Sequence, residues 1–185
     1  MVARLGAAGT LDQAVRATAA LAGAYLRRRD QVGLLSFGGS LNWLEPALGT
    51  VQLYRIVEAL LDTEVVLSYV WRDIRVIPTH ALPPKALVLC LTPLLDERMV
   101  NALVDVRGRG ADVAVVEIAP ESFVRVPRGE QAELAYRIWM LRRAAVRSRF
   151  RRLGVPVVRW RSGDPLEAVL EEVSSFRRFA RAMRA

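Results

Sequence analysis

The residues best placed for chemistry in this chain follow an apolar run at residues 86–91, in the segment ALVLCLTPLLD. Thr92 offers a hydroxyl and Asp96 a carboxylate just where parallel-sheet folds bind their ligands, beyond the carboxyl ends of the strands. A hard cation needs several oxygen ligands, and Pro93 between them supplies none. Asp96 also fits the N-cap of the next helix. We therefore predict no intact metal site here, and we interpret Thr92 and Asp96 as contacts for a partner at the strand ends.

The other residue types that could support catalysis lack recognisable partners. His80 lies between Pro78 and Pro83 in an expected loop, and no serine or cysteine forms a known motif with it. Ser36 precedes paired glycines in a hairpin pattern, which differs from the Gly-x-Ser-x-Gly turn of nucleophilic serines. Cys90 lies inside the apolar run and is interpreted as a buried structural thiol. We expect no catalytic activity, no cofactor and no metal.

Basic charge is concentrated in one part of the chain. The formal net charge is +8, and of 27 basic residues only Lys85 is a lysine. Residues 134–163 contain nine arginines and no acidic residue, so the excess positive charge is local. Such an excess either keeps a surface solvated or attracts an anionic partner.

A helix expected over residues 130–153 decides what these arginines face. Its apolar residues recur at helical spacing and predict a stripe that packs inward: Leu134, Ile138, Leu141 and Ala145. Arg143, Arg147 and Arg151 follow one another on the opposite face. Two interpretations stay open, a solvated face or an anion-facing surface for acidic proteins, anionic membrane or other polyanions. Nucleic acid is the least expected partner, because no aromatic-bearing binding motif accompanies the arginines.

Alternating strands and helices must position these residues. Strands are expected at QVGLLSF, LNWL, ALVLCLT, ADVAVVEI and VPVVRW, and helices over residues 10–30, 51–63, 96–108, 130–153 and 163–183. Gly38 and Gly39 predict a hairpin between the first two strands. Within residues 64–85 the stretch VVLSYV is compatible with either a strand or a helix, and three prolines, Pro78, Pro83 and Pro84, predict a loop after it. The pattern predicts a single α/β domain over residues 1–185, a three-layer sandwich with a mostly parallel sheet.

Composition limits the class of protein. An apolar content of 52% is typical of a folded chain and excludes disorder. The longest apolar runs are far shorter than the roughly 20 residues that span a bilayer, and the first residues show no signal-peptide core. One cysteine allows no disulfide within the chain. We expect a soluble domain in the cytoplasm.

Three segments, RRRDQVGLLSFGG, LTPLLD and GVPVVRWRSGDPLEAVLEEV, resemble a known family. They are similar to the C-terminal region of the bacterial family called domain of unknown function 58, most of all to its actinobacterial branch. The likeness extends from about Thr10 to Phe176. It implies a Rossmann-like fold of the von Willebrand factor A type and a non-catalytic protein-interaction role. It further implies an adaptor of a MoxR-type AAA+ ATPase in envelope assembly or protein maturation.

The same resemblance implies that part of the usual domain is missing. Type A domains begin with a central strand that carries an Asp-x-Ser-x-Ser motif, and the first residues here, MVARLGAAG, do not match it. We therefore expect an N-terminally truncated domain or a misplaced start, with a variant that lacks this strand as the alternative. The metal site would be degenerate, with Thr63 or Ser68 standing for one remaining ligand. Family members commonly carry membrane-spanning segments upstream, so the resemblance implies that the full-length protein is membrane-anchored.

Overall fold

The computed structural model describes residues 9–37, 41–62, 82–83, 86–124 and 128–182. The elements in chain order are α1 (Thr10–Arg27), β1 (Val32–Phe37), β2 (Leu41–Ala47), α2 (Gly49–Leu61), β3 (Leu87–Thr92), α3 (Glu97–Gly108), β4 (Asp112–Ile118), a 3-10 helix (Pro120–Phe123), α4 (Glu130–Arg152), β5 (Val157–Trp160) and α5 (Leu166–Ala182). Two compact units contain them, Gly6–Pro83 and Met1–Leu5 with Pro84–Ala185, and each is described by itself. Whether they form the predicted single domain stays a prediction.

The unit Gly6–Pro83 packs two helices against a hairpin. β1 and β2 pair antiparallel, with Phe37 opposite Leu41, which confirms the predicted pair of strands. The predicted glycine turn at Gly38 and Gly39 lies outside the described residues. The core of this unit is formed by apolar residues on the facing sides of α1 and α2: Ala22, Leu26, Ile56 and Leu60. Helical spacing of these residues in the sequence predicts this packing.

One buried amide ties α2 to the hairpin. The side-chain nitrogen of Gln52 donates to the carbonyl of Val32 at 2.8 Å and to the carbonyl of Glu45 at 2.9 Å. The strand register shifts next to Val32, and a side chain at Gly33 would bring its Cβ within 2.9 Å of the carbonyl oxygen of Leu44. A bulge leaves ladder groups unpaired, and here Gln52 satisfies one of them.

The unit that contains Pro84–Ala185 is built on a parallel sheet in the order β3-β4-β5. Helices flank this sheet, so the structure confirms an α/β fold compatible with a Rossmann-like sandwich. β4 is the central strand, and its residues are buried on both faces because helices cover both. The core around β4 is formed by apolar residues of β4 itself, α3, α4, β5 and α5: Val113, Val115, Val116, Ile118, Val100, Leu103, Val106, Phe150, Val158, Val169 and Val173.

β3 lies at one edge of this sheet among the described residues and is less buried than β4. Its residues Leu87–Leu91 are partly exposed, and only Thr92 at its carboxyl end is buried. The predicted burial of Cys90 is therefore only partial, since this residue is partly exposed. Desolvation nevertheless raises the pKa of the Cys90 thiol to about 12, in agreement with a structural cysteine.

α4 begins and ends where the sequence predicts but presents the opposite face to the sheet. The residues expected to pack inward are exposed, with Leu134 at 56%, Ile138 at 45% and Leu141 at 70%. Arg143 and Phe150 are buried instead. The predicted inward stripe is therefore wrong. Apolar periodicity assumes that the sheet offers only apolar contacts, whereas here it offers a buried carboxylate that pairs with arginine.

None of the described helices is both long enough and apolar enough to span a bilayer.

Candidate functional site

Three polar residues lie side by side where the parallel strands end. In the ladder Thr92 of β3 pairs with Glu117 of β4, and Glu117 pairs with Arg159 of β5. Neighbouring residues in a parallel ladder project to the same face of the sheet. A hydroxyl, a carboxylate and a guanidinium thus form one row at the carboxyl edge, the position at which α/β proteins bind ligands.

Glu117 is the centre of a buried ion network. Its side chain is 1% exposed, and its Oε1 accepts a hydrogen bond from Nη2 of Arg143, which is itself 4% exposed. Nη1 of Arg147 lies 3.1 Å from the same oxygen. Arg143 also donates from Nη1 to the carbonyl of Pro93 at 3.0 Å, which links α4 to the loop after β3.

The network continues to the 3-10 helix after β4. Nη2 of Arg159 donates to Oε1 of Glu121, and Nε of Arg143 lies 3.8 Å from Oε2 of the same carboxylate. Burial raises the pKa of Glu121, but hydrogen bonding to its own N–H and the guanidinium of Arg159 outweigh this effect, so the pKa is lowered overall. Burial likewise lowers the pKa of Arg143 despite the carboxylates beside it. Two carboxylates are therefore held by three guanidiniums.

Not every polar atom of the network has a hydrogen-bond partner. Oε2 of Glu121 and Nε of both Arg143 and Arg159 are buried without one. They face each other or Glu117 across ion pairs of 3.8 Å, which are too long for hydrogen bonds. The charges of the network are thus paired more completely than its hydrogen-bonding groups. The main effect of the network is to fix α4 on the sheet.

The two residues predicted at the strand end serve local structure. Thr92 is buried, and its hydroxyl accepts a hydrogen bond from the N–H of Leu94 at 3.1 Å. Asp96 is the N-cap of α3, as predicted, and accepts from the N–H of Arg98 at 2.9 Å. The hydrogen bond from the Arg98 side chain holds the pKa of Asp96 below its usual value. The structure brings Thr92 beside Glu117, whereas Asp96 lies at the helix start, and their predicted role as partner contacts stays a prediction.

The three predicted anion-facing arginines have different surroundings. Arg143 is buried and paired, so the expectation that it lies on an exposed face is wrong; Glu117 draws it inward. Arg147 is mostly buried and also pairs with Glu117. Only Arg151 is exposed. The arginines of α4 therefore lie partly in the interior and partly on the surface.

An aromatic pair borders the network on α4. Cζ of Arg143 lies 5.1 Å from the ring centroid of Trp139, within the range of a cation–π contact. The Trp139 ring lies 5.6 Å from that of Tyr136. The Trp139 ring thus lies against the guanidinium of Arg143 and is itself in contact with Tyr136.

Sequence reasoning missed Glu117, Glu121 and Arg159. The signal was a single charged residue near the end of each of two otherwise apolar strands, in VAVVEI and VPVVRW. A charge in a strand buried on both faces requires a partner of opposite sign. Applied to Glu117 and Arg159, that rule would have predicted a pair between the ends of β4 and β5.

Within residues 9–62, 82–124 and 128–182, apart from short gaps, no group of three or more His, Cys, Asp or Glu side chains could hold an ion. The candidate ligands Thr63 and Ser68, and the histidine His80, lie outside the described residues. Their predicted roles are untested.

Comparison with known proteins gives no relative for this chain. No protein-family model, curated protein or solved structure matches it. The likeness to the domain of unknown function 58 family stays a prediction.

Proposed function

We propose that the chain is a non-catalytic protein-interaction domain with a von Willebrand factor A-like fold, an adaptor of a MoxR-type AAA+ ATPase in envelope assembly or protein maturation. The observation that carries the proposal is the pairing of both carboxylates at the carboxyl edge, Glu117 and Glu121, with arginines. A general base works best with a pKa near the operating pH, whereas the pKa of Glu121 is lowered. The carboxyl edge is therefore better suited to presenting a rigid surface than to acid–base catalysis.

A rigid edge with exposed apolar residues suits recognition. Leu95 follows β3 and is 56% exposed, and Val124 follows the 3-10 helix and is 46% exposed. The loops that carry them are tied to α4 and β5 through Pro93 and Glu121. Preorganised loops lose little conformational entropy when a partner binds, so these two side chains are suitable contacts.

The choice of an AAA+ ATPase as partner depends on the family resemblance. The test is co-purification of the full chain with the MoxR-type ATPase encoded in the same genome. We expect a complex that Leu95→Glu weakens, because a charge would enter the apolar contact. Leu61→Glu is the matched control, since Leu61 on α2 is also an exposed leucine and lies outside the loops that follow β3 and the 3-10 helix. No complex with the unaltered chain, or equal loss in both variants, would contradict the proposal.

A second candidate function is a basic module that binds anionic membrane or polyanions. It is favoured by the arginines of the 134–163 segment that remain exposed outside the network: Arg137, Arg142, Arg149, Arg151, Arg152 and Arg161. Binding to vesicles that contain phosphatidylserine should fall steeply with salt and disappear after Arg149→Glu with Arg152→Glu. Binding that salt leaves unchanged would exclude this function.

A further inference from the structure

The geometry of α4 points to a docking site for an acidic amphipathic helix of another protein. The inference rests on the proposed function, because it names the kind of partner that such an interaction domain would take. We define the α4 seam as Leu134, Ile138, Leu141 and Ala145. All four residues are exposed, and the three large ones are about half exposed or more.

The spacing of the α4 seam is that of a coiled coil. Successive members are separated by four, three and four residues, so they occupy alternating d and a positions of a heptad. At about 1.5 Å per residue the seam extends roughly 16 Å along the helix, which is about three helical turns of a partner. Because α4 packs on the sheet through its other face, the α4 seam does not contribute to the core.

The opposite face of α4 is fixed to its own unit. Arg143 and Phe150 occupy f positions of the same heptad and Arg147 occupies a c position, and all three are buried or mostly buried. The ion pairs of Arg143 and Arg147 with Glu117 oppose rotation of α4 about its axis. Exposure of the seam is therefore a consequence of the buried network, and a partner would find it already presented.

Charge complementarity selects the occupant. The exposed residues Arg137 and Arg151 occupy g positions, and Arg142 and Arg149 occupy e positions. No acidic residue occurs between residues 134 and 163. Residues at e and g decide which helix pairs in a coiled coil. A helix with apolar residues at a and d and glutamate or aspartate at e and g complements this surface.

Two other occupants fit less well. A second copy of the chain would place arginine opposite arginine, since g faces e in a parallel pair and like positions face each other in an antiparallel pair. An anionic membrane favours a wide apolar face that enters the headgroup region. The α4 seam has only Leu134, Ile138 and Leu141 as large apolar residues.

The test uses two synthetic peptides of about three heptads with leucine at a and d. One carries glutamate at e and g, and the other carries lysine. Binding of each labelled peptide to the full chain is followed by fluorescence anisotropy at several salt concentrations. We expect the acidic peptide to bind at least about tenfold more tightly than the basic one, with affinity that falls as salt rises.

Substitutions localise the binding. Leu141→Asp should weaken the acidic peptide by about tenfold or more, with an unchanged melting temperature because Leu141 is exposed. Leu61→Asp is the matched control, since Leu61 is an exposed leucine outside the α4 seam, and it should leave peptide binding unchanged. Arg137→Glu with Arg142→Glu should reverse the preference, so that the basic peptide binds better. A misfolded variant would not gain affinity for the second peptide.

Several outcomes would overturn the inference. They are equal affinity for the two peptides, no binding of either, a dimer that Leu141→Asp dissociates, or binding to phosphatidylserine vesicles that the acidic peptide does not compete. The proposed function fails separately. If the AAA+ ATPase does not co-purify but the acidic peptide binds, the ATPase assignment is wrong and the docking site stands. If the ATPase binds through Leu95 and the peptide does not bind, the docking site is wrong and the ATPase assignment stands.

Discussion

Arg143 on α4 donates a hydrogen bond from Nη2 to Oε1 of Glu117 on β4, and both side chains are almost completely removed from solvent. Transfer of two charges into the interior is costly, and good geometry with further partners must offset it. Arg147, Arg159 and the carbonyl of Pro93 supply such partners. This one pair decides which face of α4 is buried, and hence which face is available to other molecules.

Arg143→Met should destabilise the unit strongly. Glu117 would lose its closest cation and remain buried, which typically costs about 3–5 kcal/mol. Urea unfolding monitored by circular dichroism measures the loss. Arg142→Met is the matched control, because Arg142 is exposed and should change the free energy of unfolding by less than about 0.5 kcal/mol.

A double substitution separates loss of the pair from loss of packing. Arg143→Met with Glu117→Leu removes both charges, so the double variant should be more stable than Arg143→Met alone. The comparison uses the same urea titration. Strictly additive losses would mean that the two residues do not depend on each other.

Acid should weaken the contribution of Glu121. Its folded pKa lies below the ordinary value of 4.5, so its carboxylate stabilises the fold above that pH, and the stabilisation is lost as pH falls through the folded pKa. The difference in melting temperature between the unaltered chain and Glu121→Gln should be constant from pH 7 to about 5 and shrink below pH 4.5. A difference that grows on acidification would contradict this assignment.

Arg29→Gly should stabilise the unit that contains α1. Arg29 has a φ of 62°, in the left-handed region that favours glycine, and its N–H bonds the carbonyl of Leu26 at the helix end. Relief of this strain should add about 1 kcal/mol and raise the melting temperature. Arg28→Gly is the control, since the φ of Arg28 is −81° and glycine there should only destabilise.

Cys90 should react slowly in the folded protein. With a pKa of about 12 in place of 9.0, its thiolate fraction at pH 8 is about a thousandfold lower than that of an ordinary thiol. Ellman's reagent should therefore label Cys90 in hours without denaturant and in seconds in guanidinium chloride. Fast labelling of the native chain would show that the thiol of β3 is accessible.

The positions of the elements follow from local features of the sequence. β4 is predictable because ADVAVVEI is almost continuously apolar, and the start of α3 is predictable because Asp96 can cap it. The end of α4 is predictable because Gly154 follows it, and this glycine has a φ of 67°. Each signal lies within a few residues of the structure that it predicts, since hydrogen bonds of helices and caps join near neighbours.

The orientation of α4 and the carboxyl-edge network required the tertiary structure. The sequence by itself determined that residues 134–152 form a helix rich in arginine with an apolar seam. It did not determine which side faces the sheet, because Glu117 lies 26 residues before Arg143. Either the apolar stripe or the row of arginines could form the inner face of α4. The buried carboxylate of Glu117 decides between them, because an unpaired charge in the interior costs more free energy than an exposed leucine.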